Sequence, residues 1–236
     1  MNDLFHSIST LDNLETFQFP RSSSSDRNTT ALFNSWPSKL QKLQIAGGIR
    51  DQSLLYFSTL PDTLTRLVIG DCPNLSMAFI KPLLTVVGPH IQILKIDSSL
   101  PQLTWYSLNT IFEVLPALRH FNVAVEYICE DFFKQDYGNN LDNPRFLESM
   151  ELTCLRMPTT GQTHDITSEL IYNAVVDGPL KNLRRLSVRQ MLGWAQDEEG
   201  RRSVTELSEL LQALAREDLG PNASEEEVDA GVWMFP

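Results

Sequence analysis

The side chains able to do covalent or metal chemistry are few and scattered. The four histidines, His6, His90, His120 and His164, lie far apart, and none has a Cys or a second His at metal-ligand spacing. The three cysteines, Cys72, Cys129 and Cys154, stand 57 and 25 residues apart, which matches no zinc pattern. There is no G-x-S-x-G elbow to present a nucleophilic serine. There is also no G-x-x-x-x-G-K-S/T or G-x-G-x-x-G to cradle a phosphate. His164-Asp165 could form a base and its orienting carboxylate. It lies in a polar stretch, TTGQTHD, just before a helical pattern, where Asp165 reads as a helix N-cap. Gly47-Gly48 reads as a turn. The expectation is a protein that is not an enzyme and uses no cofactor and no metal. The cysteines, set beside apolar stretches, are expected to be buried and inert.

The chemistry that recurs at a regular interval is cationic. Lys42, Arg66, Lys95, Arg119, His120 and Arg185 are spread over the chain at roughly the interval of one structural unit. Such groups make charge-assisted hydrogen bonds to carboxylates and phosphates. What would bring them together is a pattern with apolar residues at i, i+3 and i+5. It occurs seven times: Leu14/Phe17/Phe19, Leu40/Leu43/Ile45, Leu64/Leu67/Ile69, Ile91/Leu94/Ile96, Leu118/Phe121/Val123, Leu147/Met150/Leu152 and Leu183/Leu186/Val188. Seven successes at that spacing would arise by chance in roughly one chain in a hundred. A proline precedes six of the seven by two to four residues: Pro37, Pro61, Pro89, Pro116, Pro144 and Pro179. Proline there stops a preceding helix and launches an extended segment. Helix-like spacing fills the intervals at 53–60, 75–87, 105–115 and 166–176, with Pro82 expected to kink the second. The clearest helix is 203–217, with Ser203 and Glu206 as a capping box and Leu207, Leu210, Leu211 and Leu214 as its apolar stripe. The stretches 21–30 and 138–145 read as surface loops.

With its seven triplets, and with Cys72 following the strand in LTRLVIGDCPNLS, the sequence resembles the leucine-rich-repeat family over about residues 11–191. More narrowly it resembles the ribonuclease-inhibitor-like branch found in F-box substrate receptors, especially fungal ones. The resemblance implies an α/β solenoid of about seven repeats, with short parallel strands on the concave face and irregular helices and loops on the convex face. It also implies a protein-binding module that recognises substrates for an F-box-type ubiquitin ligase. The alternative is a ligase-independent scaffold or inhibitor using the same surface. The positions matching Cys72 are Ser22, Gly48, Ser99, Glu126, Leu155 and Met191, so the family's buried polar ladder is largely missing. No F-box is read at the N-terminus. A cullin-ligase adaptor is therefore expected only if an F-box lies outside this chain, and adaptor-binding residues are carried over to no position.

Strand residues alternate sides. If i, i+3 and i+5 point into the core, i+2 and i+4 point to the concave face, with i+1 and i+6 at its edges. Those positions hold seven basic side chains against four acidic ones, on a chain of formal charge −11. The acidity concentrates in residues 195–236, with 11 acidic and 3 basic side chains. A partner of acidic or phosphorylated peptide character is therefore expected on Lys42, Arg66, Lys95, Arg119, His120 and Arg185. General nucleic-acid binding and docking on an anionic membrane are not expected. The division read from the sequence is 1–194 for the solenoid and 195–236 for a C-terminal capping helix with an acidic tail. The tail, with EEEVD at 225–229, reads either as solvated or as folding back over the concave sheet. An odd cysteine count and the lack of a signal-peptide pattern point to the cytosol or nucleus.

Overall fold

Every triplet lies on or beside a short strand. The computed structural model describes residues 2–21, 35–134, 147–155, 165–220 and 228–236. The chain divides into two units, Met1–Leu118 and Arg119–Pro236. The class is α/β: each unit carries parallel strands with helices between them.

In the first unit, β1 (Thr16–Gln18), β2 (Lys42–Ile45), β3 (Arg66–Ile69) and β4 (Ile93–Ile96) lie side by side in chain order. Their register puts Leu43 beside Leu67 and Leu67 beside Leu94, so the i+3 residues form one row. Leu40, Leu43, Ile45, Leu64, Leu67, Ile69, Ile91, Leu94 and Ile96 are all fully buried. The prolines act through turns: the Leu40 N–H donates to the Pro37 carbonyl at 3.1 Å and the Leu64 N–H to that of Pro61 at 3.0 Å. At the start of each strand one carbonyl accepts two successive amides of the next. The Gln41 carbonyl takes Thr65 N and Arg66 N, and the Thr65 carbonyl takes Gln92 N and Ile93 N. Helices α1 (Asn2–Ser9), α2 (Leu54–Phe57), α3 (Met77–Val87) and α4 (Ile111–Val114) complete the unit. An aromatic cluster packs beneath the strands, with Phe57 5.9 Å from Phe19, 5.7 Å from Trp36 and 5.3 Å from Phe79 between ring centroids. Trp36 is buried, and its indole N–H donates to the Tyr56 carbonyl at 2.6 Å.

One helical expectation changes in this unit and another is met. The pattern at 105–115 yields only the single turn α4, because residues 105–110 are used in turns. The pattern at 75–87 holds as one helix through Pro82, whose ring side is exposed. Its N-cap, Ser76, accepts from Ala78 N and is itself gripped by Asp51, whose two carboxylate oxygens take Ser76 N at 2.9 Å and Ser76 Oγ at 2.6 Å.

In the second unit, β5 (His120–Ala124), β6 (Ser149–Thr153), β7 (Arg185–Arg189) and β8 (Gly231–Phe235) are again parallel and in chain order. Phe121, Met150 and Leu186 form the corresponding buried row. Helices α5 (Asp131–Lys134), α6 (Ser168–Val176) and α7 (Glu198–Leu219) lie between the strands. The cap of α6 is Thr167, which accepts from Leu170 N at 3.2 Å, and not Asp165. The last long helix begins five residues before Ser203, at Glu198, with Asp197 accepting from Gly200 N at 2.7 Å. Ser203 is thus interior, and its capping-box reading is corrected. The stripe survives in part: Leu207 and Leu211 are fully buried.

The extreme C-terminus corrects the solvated-tail reading. Residues 231–235 form β8, which pairs with β7 from Arg185 opposite Gly231 to Arg189 opposite Phe235. Residues 22–30 of the loop read at 21–30, the loop read at 138–145 and His164 lie outside the described residues. Among the described residues no helix is long and apolar enough to cross a membrane.

Candidate functional site: the open strand faces

The open face of the first unit is built by alternation. With Leu43, Ile45, Leu94 and Ile96 buried, Lys42, Gln44, Ile93 and Lys95 point the other way and are half-exposed. Arg66 is exposed at the start of β3. Register then sets the rows. Thr16, Lys42, Arg66 and Ile93 lie side by side, and so do Gln18, Gln44, Val68 and Lys95. Two of the three cations predicted here are direct neighbours, Lys42 on β2 and Arg66 on β3. Neither has an acidic partner among the described residues. Lys95 is different: its ammonium sits 2.9 Å from Asp97, which follows on the same chain segment.

The open face of the second unit carries the other three predicted residues, and three of its arginines are already engaged. Arg119 pairs with Glu148 at 3.0 Å. Arg185 pairs with Asp229 at 2.7 Å, and its Nε donates to the Asp229 carbonyl at 2.8 Å. Arg184, beside it, pairs with Asp218 near the end of α7 at 2.7 Å. His120 and Ser149 lie next to Arg185 in one row. These side chains, Arg119 excepted, line a cavity of about 360 Å³ at the start of β5–β7, together with Asn182 and Leu219. Its charged lining, Arg184 and Arg185 against Glu148, Asp218 and Asp229, carries one more negative than positive charge when His120 is neutral. That balance favours neither a carboxylate nor a phosphate. Sequence reasoning found the cations and missed their acids, because Asp218 and Asp229 lie 34 and 44 residues from their partners.

The groups with potential for covalent chemistry stay apart. Among the described residues no three His, Cys, Asp or Glu side chains are gathered as a metal would require. Cys72 is fully buried, and burial, with the Asp71 charge added, pushes its thiol up to about 12. Such a thiol is not a nucleophile at neutral pH. Cys154 is buried as well, but Cys129 is only half-buried, which corrects the expectation for that residue. His90 Nε2 lies 3.5 Å from Asp62, both on the surface.

One polar residue has a role its repeat position did not suggest. Glu126, at the position matching Cys72, is buried, and its Oε1 accepts from Leu155 N at 2.9 Å and faces Cys154 Sγ at 3.5 Å. Leu155 is the matching residue one strand later. The carboxylate therefore ties the exit of β5 to the exit of β6.

Comparison with known proteins bears on what such faces do. The chain is 29% identical over 174 residues to Protein pof5 of Schizosaccharomyces pombe, a match covering 73% of the chain and 48% of that protein. It is 25% identical over 219 residues to F-box protein YDR306C of Saccharomyces cerevisiae, covering 92% of the chain and 44% of that protein. Of these two yeast relatives, the second is named as an F-box protein. It spans less than half the length of either relative. No family model and no solved structure matches it.

Proposed function

We propose that the chain is a non-catalytic protein-recognition module of the leucine-rich-repeat type. It selects substrates for an F-box-type ubiquitin ligase by binding an acidic or phosphorylated segment of the target. The similarity to F-box protein YDR306C supports the ligase setting. The observation that carries the binding mode is the adjacency of Lys42 and Arg66 on neighbouring parallel strands, facing out and without an acidic partner among the described residues. Strands lie about 4.8 Å apart. Cationic side chains rooted that close can be bridged by one shared anion, and the guanidinium fork suits carboxylate or phosphate oxygens. The site this reading selects is narrower than the six residues singled out in the sequence. It is Lys42 and Arg66, with Lys95, Arg119 and Arg185 held by acids of their own.

The test is capture of anionic peptides by the full chain. Lys42→Glu combined with Arg66→Glu should abolish capture at physiological salt, whereas Arg185→Glu should leave it near the parent level. Capture that survives the double reversal removes this binding mode. Co-precipitation with the cullin adaptor, using the chain together with any F-box-bearing extension, tests the ligase setting separately from the scaffold alternative.

A further inference from the structure

The cation pair has an apolar neighbour. Ile93 on β4 stands directly beside Arg66 and is half-exposed on the same open face. Val68, two residues beyond Arg66 on β3, lies behind it and is 9% exposed. The next cation, Lys95, is beside Val68 and turned to Asp97. In the row that begins the strands, the face of the first unit therefore changes from positive charge, Lys42 and Arg66 on β2 and β3, to the aliphatic side chain of Ile93 on β4.

Resting on the reading just proposed, we infer that the partner segment carries a large apolar side chain two residues from its anionic one. Distance sets the spacing. An anion shared by Lys42 and Arg66 sits midway between β2 and β3. Ile93 is then one and a half strand spacings away, about 7 Å. In an extended peptide, side chains two residues apart point the same way and are separated by about 7 Å. A segment lying across the strands therefore places an anion over the cation pair and, two residues away, an apolar side chain over Ile93. A single residue between them would point away from the surface. Ile93 is a specificity residue in this arrangement, because covering it removes apolar area from water only when the partner offers apolar area in return. A polar residue at that position would cover Ile93 without that gain.

The experiment uses the full chain on a peptide array with a central phosphoserine and leucine placed in turn at each flanking position in an alanine background. A parallel array with aspartate at the centre separates phosphate from carboxylate. Binding is expected to peak, several-fold over alanine, where leucine is two residues from the anion. Ile93→Thr, which keeps a β-branched side chain suited to a strand, should flatten that peak while leaving anion-dependent binding in place. Lys42→Glu with Arg66→Glu should remove binding to every member. A flat leucine scan, or a peak that persists in Ile93→Thr, overturns the inference and leaves the cation-pair reading standing. Absence of all anion-dependent binding, or binding indifferent to the double reversal, overturns that reading and the inference with it. Thermal melts of each variant, matched to the parent, show that the fold is intact.

Discussion

At the scale of single residues, the buried polar groups matter more than the exposed ones. Glu126 holds the Leu155 N–H with a carboxylate oxygen at 2.9 Å in a site only 7% exposed. Removing that acceptor leaves a partly buried donor unsatisfied, which costs on the order of 1–3 kcal/mol. Glu126→Ala should therefore lower the urea unfolding free energy by about that amount, and Glu126→Gln, which keeps an acceptor of the same length, by clearly less. Equal losses would mean that the carboxylate is not acting through this bond. Cys72 makes a second prediction. Its thiol is raised from 9.0 to about 12, first by burial and then by the Asp71 charge. The folded state thus holds the proton more tightly than the unfolded chain. The associated stabilisation is complete below the unfolded value and drains away as pH rises from about 9 towards about 12. Stability measured across that range should fall more steeply in the parent than in Cys72→Ala, and parallel curves would contradict the assignment.

At the scale of elements, close approach decides which substitutions the fold can absorb. A Cβ on Gly88 would lie 1.9 Å from the Val114 carbonyl oxygen and 2.5 Å from that of Leu84. Both neighbours are backbone, so Gly88→Ala should shift the helix ends apart and cost about 2 kcal/mol or more. At Gly220 nothing lies within 4 Å, but φ +89° with ψ 174° is a conformation essentially kept to glycine, so Gly220→Ala should cost backbone strain alone, on the order of 1–3 kcal/mol. A denaturation midpoint of Gly88→Ala equal to that of the parent would overturn the packing argument. The strands were legible because a period of two with buried i+3 and i+5 residues leaves a strong trace: β1 to β7 lie where their triplets placed them. β8 escaped because its first pattern position is Asp229, so only Val232 and Met234 carry the period. The helix boundaries shifted because caps compete locally. Thr167 lies two residues nearer α6 than Asp165, and Asp197 begins α7 a full turn before Ser203. Of the candidate site, the outward cations were legible from strand alternation. Their pairing was not, since Asp218 and Asp229 reach Arg184 and Arg185 only through the path of α7 and β8.

At the scale of the molecule, the formal charge of −11 divides very unevenly. Residues 1–118 hold 9 acidic and 8 basic side chains, a net −1, whereas residues 119–236 hold 21 acidic and 11 basic, a net −10. An anionic segment approaching the first unit meets a near-neutral body whose open strand face carries two adjacent cations, Lys42 and Arg66, that pair with no acid among the described residues. Approaching the second, it meets a strongly negative body whose Arg119, Arg184 and Arg185 are already paired. The arginines of the two units should thus respond to charge reversal in opposite ways. In the first unit, Arg66→Glu should lower anionic-peptide capture and leave the unfolding midpoint nearly unchanged, because its side chain is exposed and pairs with no acid among the described residues. In the second, Arg185→Glu should leave capture unchanged and lower the midpoint, because the new carboxylate would face Asp229 where a bond to its backbone and a pair to its side chain stood. Exposed pairs are worth only about 0–1 kcal/mol each, so the shift should be small and should shrink as salt screens the repulsion. Parallel peptide-binding and urea titrations at low and high salt measure both effects. If Arg185→Glu abolishes capture while Arg66→Glu does not, the anion site belongs to the second unit and the cation-pair assignment fails.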